Sequence, residues 1–179
     1  MLEGLVAFDR ELKPIPALAE RWQNPDARTW VFDLRPNARF SDGRPVRADD
    51  VTASLQAAMS KGWVNGSYLR LASVRPLSPL QVEVRTSRSD PMLLYRLRWG
   101  YVLAAGGLDA EPVPVVGTGP YRLERWDPGR EFVLSRDPYY HGRAPDFETV
   151  RFRVIPSQQE RLAAVVRGDA DIADHAPLG

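Results

Sequence analysis

The sequence contains no cysteine. That removes disulfides, thiolate zinc sites, iron–sulfur clusters and cysteine nucleophiles together, so 179 residues must hold themselves by packing alone. Histidine is nearly as scarce: His141 and His175 are the only two, and neither stands in a recognisable nucleophile-and-base context. Among 24 basic side chains only Lys13 and Lys61 are lysine, and 23 acidic ones bring the net charge to +1. With no basic stripe and no block of like charge, nucleic acid is a poor partner. No apolar run reaches the roughly 18 residues a membrane-crossing helix needs. Met1-Leu2-Glu3-Gly4-Leu5 lacks the basic-then-apolar pattern of an export leader, as a mature chain after cleavage also would.

What the sequence does have is 16 prolines, a sign of short elements and many loops. Thr29 to Leu34 alternates, with Trp30, Phe32 and Leu34 on one side, the period of a half-buried strand. Gly43 supplies turn chemistry before a helical pattern from Ala48 to Ser60, whose apolar stripe is Val51, Leu55 and Met59. Asp49 and Asp50 suit a helix N-terminus. Gly62 to Gly66 reads as loop, Gln81 to Arg85 as a strand, and Pro91 opens a short helix to about Arg98. Gly106, Gly107, Pro112 and Pro114 mark a boundary. Beyond it, Tyr121–Trp126 and Glu131–Arg136 flank Asp127-Pro128-Gly129-Arg130, a β-hairpin signature. Val150, Phe152 and Val154 alternate with Arg151 and Arg153 in a further strand. Ser157 and Glu160 make a capping box before a helix with Leu162, Val165 and Val166 as its buried stripe and Gly168 as its stop. Asp171-Ile172-Ala173 reads as the start of one more strand. The fold class is α/β (α+β), with mixed sheets and flanking helices.

Chemistry-bearing clusters are few. Gly117-Thr118-Gly119-Pro120 lacks the lysine and hydroxyl residue of a phosphate loop and precedes a strand rather than a helix, so it reads as a backbone turn. Asp169, Asp171, Asp174 and His175 crowd together but fit no cation-loop spacing, and read as a solvated segment. Asp49 and Asp50 point to different sides of a helix and make a poor acid–base couple. No catalytic set, metal site or cofactor site emerges. The aromatics are more informative. Trp22, Trp30 and Trp126 lie in strand patterns and are expected in the core, whereas Trp63, Tyr68 and Trp99 lie in loops or at a helix end, where ligand contact is a reasonable role.

Read in order, Leu18-Ala19-Glu20 with Trp22, Trp30 to Pro36, Phe40-Ser41-Asp42-Gly43-Arg44-Pro45 and Ala48-Asp49-Asp50-Val51 with Ser54 form one set of motifs. Gly117 to Tyr121, Trp126-Asp127-Pro128-Gly129, Leu134 with Arg136, Asp137 and Tyr140, and Gly168 to Ile172 follow as a second. Together they closely resemble the extracytoplasmic solute-binding proteins, family 5, of bacterial peptide and nickel ABC importers. One departure is Arg47, where the family's pattern has a helix-capping threonine.

The resemblance implies a class II periplasmic-binding-protein fold and a non-enzymatic role. A solute, such as a peptide or nickel chelate, is captured between lobes and delivered to ABC permease subunits in the membrane. It implies that residues 18–114 are an accessory subdomain and that 1–17 with 115–179 are part of the first ligand-binding lobe, the second lobe of the full-length protein being absent. It places ligand contacts at Tyr68, Trp99 and Tyr101. Localisation is then periplasmic or extracytoplasmic, with or without a lipid anchor. The alternative is the solute-sensing domain of a bacterial transcription regulator, a role in which similar domains also occur.

Overall fold

The strand expected at Thr29 sits inside the largest sheet. In a computed structural model, which describes residues 1–60, 66–104, 108 and 115–174, β1 (Val6–Phe8) pairs antiparallel with β2 (Pro14–Pro16). Next comes a four-stranded antiparallel sheet in the order β3 (Ala19–Asp26), β4 (Thr29–Leu34), β6 (Gln81–Thr86), β5 (Leu71–Ser78). Its register sets apolar partners opposite one another: Trp22 faces Phe32, which faces Val82, while Trp30 faces Val84, which faces Val74. α1 (Ala48–Ser60) lies against β5 and β6. Val51 and Leu55 of its predicted stripe are fully buried, and Met59 packs at the margin of the same core. Each fully buried Leu or Phe of this cluster contributes roughly 1.5–3 kcal/mol.

The sheet's other face carries polar cross-strand partners. Asp33 accepts from Arg21 Nε at 2.7 Å and from Gln81 Nε2 at 2.8 Å, and both are its direct register neighbours. Arg75 and Glu83, also opposed in register, form a two-bond fork at 2.7 and 3.0 Å.

β3 and β5 lie outside the expected strands, and each holds a proline, Pro25 in β3 and Pro76 in β5, which argues locally against a strand. Both are edge strands, where a missing N–H breaks no interior ladder. Arg47 brings no capping hydroxyl, and the helix start is bonded from the other direction: Asp50 Oδ2 accepts the Arg47 N–H at 2.9 Å, the reach-back half of a capping box. Among the described residues this region also holds α2 (Gly66–Leu69) and α3 (Leu93–Leu97), the latter close to the extent expected after Pro91. The predicted loop from Gly62 and the boundary glycines and prolines at 106–114 lie outside the described residues.

The chain divides into two compact units, Met1–Arg122 with Arg136–Asp146 and Leu123–Ser135 with Phe147–Gly179. The smaller carries most of a three-stranded sheet in the order β7 (Tyr121–Asp127), β8 (Glu131–Arg136), β9 (Thr149–Arg153). Gly129, at φ +75°, makes the predicted hairpin turn. α4 (Gln158–Val166) starts as expected, with Ser157 Oγ accepting the Glu160 N–H at 3.3 Å, and stops at Gly168, φ +77°.

Three expectations for this unit are corrected. The α4 stripe is not buried: Leu162 is exposed, Val166 is 79% exposed, and of the helix only Ala164 is buried. α4 is held instead by polar pins, Arg161 Nη1 donating to the carbonyls of Ile155 and Pro156 at 2.7 and 3.0 Å. Trp126 is 57% exposed rather than core, because it sits on the edge strand β7. Asp171–Ala173 forms no strand, and Ile172 is 86% exposed.

Candidate functional site

Tyr68, Trp99 and Tyr101 all belong to the larger unit and all keep their rings in solvent, at 45, 42 and 37% exposure. Trp63 lies outside the described residues. An exposed aromatic that follows or precedes fully buried neighbours is held in place while its ring stays available, and that is the situation of Tyr68. Leu69, the next residue, is fully buried, and Arg70 turns the chain at φ +53° into β5. A non-glycine residue in that left-handed region costs about 1 kcal/mol or more, so the turn is imposed by its surroundings.

Trp99 is placed by the end of α3. Its N–H donates to the Arg96 carbonyl at 3.0 Å, and the Gly100 N–H donates to Leu97 at 3.0 Å, so the chain turns tightly out of the helix. Gly100 has no room for a side chain: a Cβ there would stand 2.8 Å from Leu55 Cδ2, in the core under α1. The Arg98 guanidinium covers the Trp99 ring at 5.4 Å.

Tyr101 is tied differently. Its neighbour Val102 donates to the Glu3 carbonyl at 2.9 Å, and Leu103 exchanges two bonds with the buried Ser54 hydroxyl of α1, at 3.0 and 3.1 Å. Glu3 Oε2 lies 3.1 Å from His141 Nε2, whose side chain is buried. Beside it the Tyr140 hydroxyl is pushed up by burial and then by the Glu3 charge. His141 thus serves the scaffold beneath the 101–104 segment.

The contacts join Tyr68 to Trp99 through Arg96. Its guanidinium lies 4.9 Å from the Tyr68 ring centroid, its Nη1 donates to the Tyr68 carbonyl at 3.4 Å, and its own carbonyl takes the Trp99 N–H. Arg96 is itself paired with Asp90, Nε to Oδ2 at 2.8 Å, with both side chains largely buried. Asp90 also starts α3, accepting the Met92 N–H at 3.0 Å. The Arg96 charge is thus matched at close range, while the Arg98 guanidinium adds a cation beside the Trp99 ring. Arg96 and Asp90 were not picked out from the sequence. The available signal was an aspartate before Pro91 with an arginine six positions on, at the end of a short helix.

Two open concavities occur elsewhere, and neither includes the three aromatics. One, of about 400 Å³, is lined by Glu124, Arg125, Val133, Thr149 and Arg151 of the smaller unit. The other, of about 310 Å³, is lined by residues that include Arg28, Ser73, Arg85 and Thr86 of the larger. Gly117 and Gly119 form a close backbone crossing: Gly119 N–H donates to the Met1 carbonyl at 3.0 Å, and a Cβ on Gly117 would fall 2.1 Å from that same oxygen. Asp169 is engaged by Arg167 Nε at 2.9 Å. Among the described residues no group of three metal-ligating side chains occurs, and His175 lies outside them. Nor is any helix among them long and apolar enough to cross a membrane.

The family model of bacterial extracellular solute-binding proteins, family 5 (Middle), matches residues 13–179. A probable D,D-dipeptide-binding periplasmic protein of Escherichia coli is 28% identical over 179 residues, 90% of this chain and 34% of that protein. The periplasmic oligopeptide-binding protein OppA of Salmonella typhimurium is 30% identical over 172 residues, 80% of this chain and 32% of that protein. Among solved structures, that of the PBP AgaA of A. tumefaciens R10 in complex with agropinic acid superposes with a TM-score of 0.87 at 27% identity, over 94% of this chain and 36% of that one. The chain therefore spans about a third of the length of the relatives it matches.

Proposed function

Because this chain belongs to the bacterial extracellular solute-binding proteins of family 5, we propose that it works as the solute-capturing part of an ABC importer. It takes a peptide or a related small solute outside the cytoplasm and presents it to membrane permease subunits, without making or breaking bonds in it. The observation that carries this reading is the family match across residues 13–179. Residues 18–114 act as the accessory subdomain, and residues 1–17 with 115–179 as part of a ligand-binding lobe that works with a second lobe. The solute lies against Tyr68, Trp99 and Tyr101, whose exposed rings give broad contact area with few rotatable bonds to immobilise. A second face closing over the solute expels water and strengthens every polar contact made there.

The test uses the native gene product that contains this sequence. Mass spectrometry of material released from it on denaturation should find a peptide or small chelate. Calorimetry with that solute should show Tyr68→Ala and Trp99→Ala each weakening binding by about 5- to 30-fold, as central aromatic contacts do. Recovery of the product in the cytoplasm bound to DNA would establish the regulator instead. An empty, extracytoplasmic protein that binds none of a panel of di- to pentapeptides or nickel chelates would remove the importer reading.

A further inference from the structure

Arg96 touches both Tyr68 and Trp99, and its side chain is well placed to govern how the Tyr68 ring is presented. Tyr68 sits on a helix of only four residues and is followed by the left-handed Arg70, so α2 by itself gives the ring little support. Arg96 reaches that segment twice, at the backbone carbonyl and across the ring face. The guanidinium is planar and can stack on a ring while its edge donates hydrogen bonds, which an ammonium cannot do. Asp90 holds the guanidinium by its Nε edge and is itself anchored, since its Oδ1 takes the Met92 N–H and its carbonyl the Leu93 N–H at 3.1 Å. The order of support therefore runs from the first turn of α3, through the Asp90 carboxylate, to the Arg96 guanidinium and from it to Tyr68, while the Arg96 backbone carbonyl takes the Trp99 N–H.

We infer that Arg96, held by Asp90, is a positioning residue that fixes the Tyr68 ring against α3 and so sets the shape of the proposed solute-binding face. The inference rests on the reading of Tyr68 and Trp99 as solute contacts for its functional consequence, though not for the positioning itself. Arg96 does not touch the solute: its side chain is mostly buried and already engaged by Asp90 and Tyr68.

The experiment labels the chain with 3-fluorotyrosine and follows fluorine NMR, with the Tyr68 signal identified by its loss in Tyr68→Phe. Removing Arg96 alone would strand a buried carboxylate and could unfold the region. The main variant is therefore the pair Asp90→Asn with Arg96→Gln, which keeps two hydrogen-bonding side chains and removes both charges. Arg96→Lys is the conservative control, retaining charge without the planar fork. The Tyr68 signal should shift and broaden in the double variant and recover only partly in Arg96→Lys, while the Tyr121 and Tyr139 signals, far from α3 in sequence, report an intact fold. An unmoved Tyr68 signal in a folded double variant would overturn the inference.

Calorimetry with trialanine on the native product then reads the consequence. Loss of the ordering contact should weaken binding about 2- to 5-fold, in keeping with one cation–ring contact, and the same change made in a Tyr68→Ala background should have no further effect. Equal weakening in both backgrounds overturns the coupling to Tyr68. If Tyr68→Ala leaves binding unchanged while the fluorine signal responds, Arg96 still positions the ring and it is the solute-contact role of Tyr68 that fails. Should trialanine not bind at all, the fluorine measurement alone decides the role of Arg96.

Discussion

The larger and smaller units carry the same kind of sequence pattern and put it to different ends. In the larger unit, alternation along β4 sends Phe32 and Leu34 into a core that α1 closes, and both are buried. In the smaller unit, alternation along β9 sets Val150 and Phe152 opposite Leu134 and Phe132, yet Phe152 and Val154 remain exposed. Periodicity says which side chains share a face; whether a layer covers that face depends on residues far away in sequence. Truncating one ring in each unit makes the contrast quantitative. Phe32→Ala should cost about 3–5 kcal/mol, the usual result for a fully buried aromatic. Phe152→Ala, losing a half-exposed ring that stacks on Phe132 at 4.4 Å, should cost about 0.5–1.5 kcal/mol. Urea denaturation followed by hydrogen exchange in β4 and β9 reads both, and equal losses would mean that the exposed face of β9 is covered in solution.

The same contrast explains what could be read from the sequence. α1, β4, β6, the Gly129 hairpin and the Ser157 cap were legible because each depends on contacts within a few residues: a stripe at helical spacing, a Pro-Gly turn, a serine three positions before a glutamate. β3 and β5 were not, since Pro25 and Pro76 look like strand breakers until their edge position is known. For the candidate site, placement in a loop or at a helix end points to Tyr68 and Trp99, the resemblance adds Tyr101, and all three are exposed. What joins them was hidden. Arg96 meets Tyr68 across 28 positions of sequence, and nothing local to either residue announces the contact. Trp126 misled for the opposite reason, as a strand pattern suggests burial on both edge and interior strands alike.

Helix starts offer a finer comparison, because each unit satisfies an N–H of a helix start with a side chain three positions away, Asp50 reaching back from within α1 and Ser157 forward as the N-cap of α4. Asp50 of α1 is buried and accepts the Arg47 N–H at 2.9 Å, whereas Ser157 of α4 is exposed and accepts the Glu160 N–H at 3.3 Å. Asp50→Ala should therefore destabilise α1 by about 1–2 kcal/mol and Ser157→Ala should destabilise α4 by about 0.5–1 kcal/mol. Hydrogen-exchange rates of the first-turn amides measure each locally. A larger effect at Ser157 would show that α4 depends on its cap because little else holds it, and would reverse the ranking.

The smallest expected effect lies on the polar face of the larger unit's sheet and depends on pH. The hydrogen bond from Gln81, followed by that from Arg21, holds the Asp33 carboxyl below its ordinary range. A carboxylate depressed in the folded state contributes stability that is fully present above its unfolded value, near 3.9, and is lost as pH falls through the lower folded value. Asp33→Asn removes that ionisation, so the variant should be less stable than the parent at neutral pH by about 0.2–1 kcal/mol, the range of exposed pairs, given that Arg21 is mostly in solvent. As the pH drops below about 4 the parent alone loses ground and the two stabilities should converge. Added salt separates the two partners, since it screens the exposed Arg21 charge and leaves the hydrogen bond from Gln81, a neutral donor, largely intact. A difference between Asp33→Asn and the parent that stays constant from neutral pH down to about 2.5 would mean that the carboxylate contributes shape and hydrogen bonding but no charge, and that the ladder Arg21–Asp33–Gln81 is held by its strands rather than holding them.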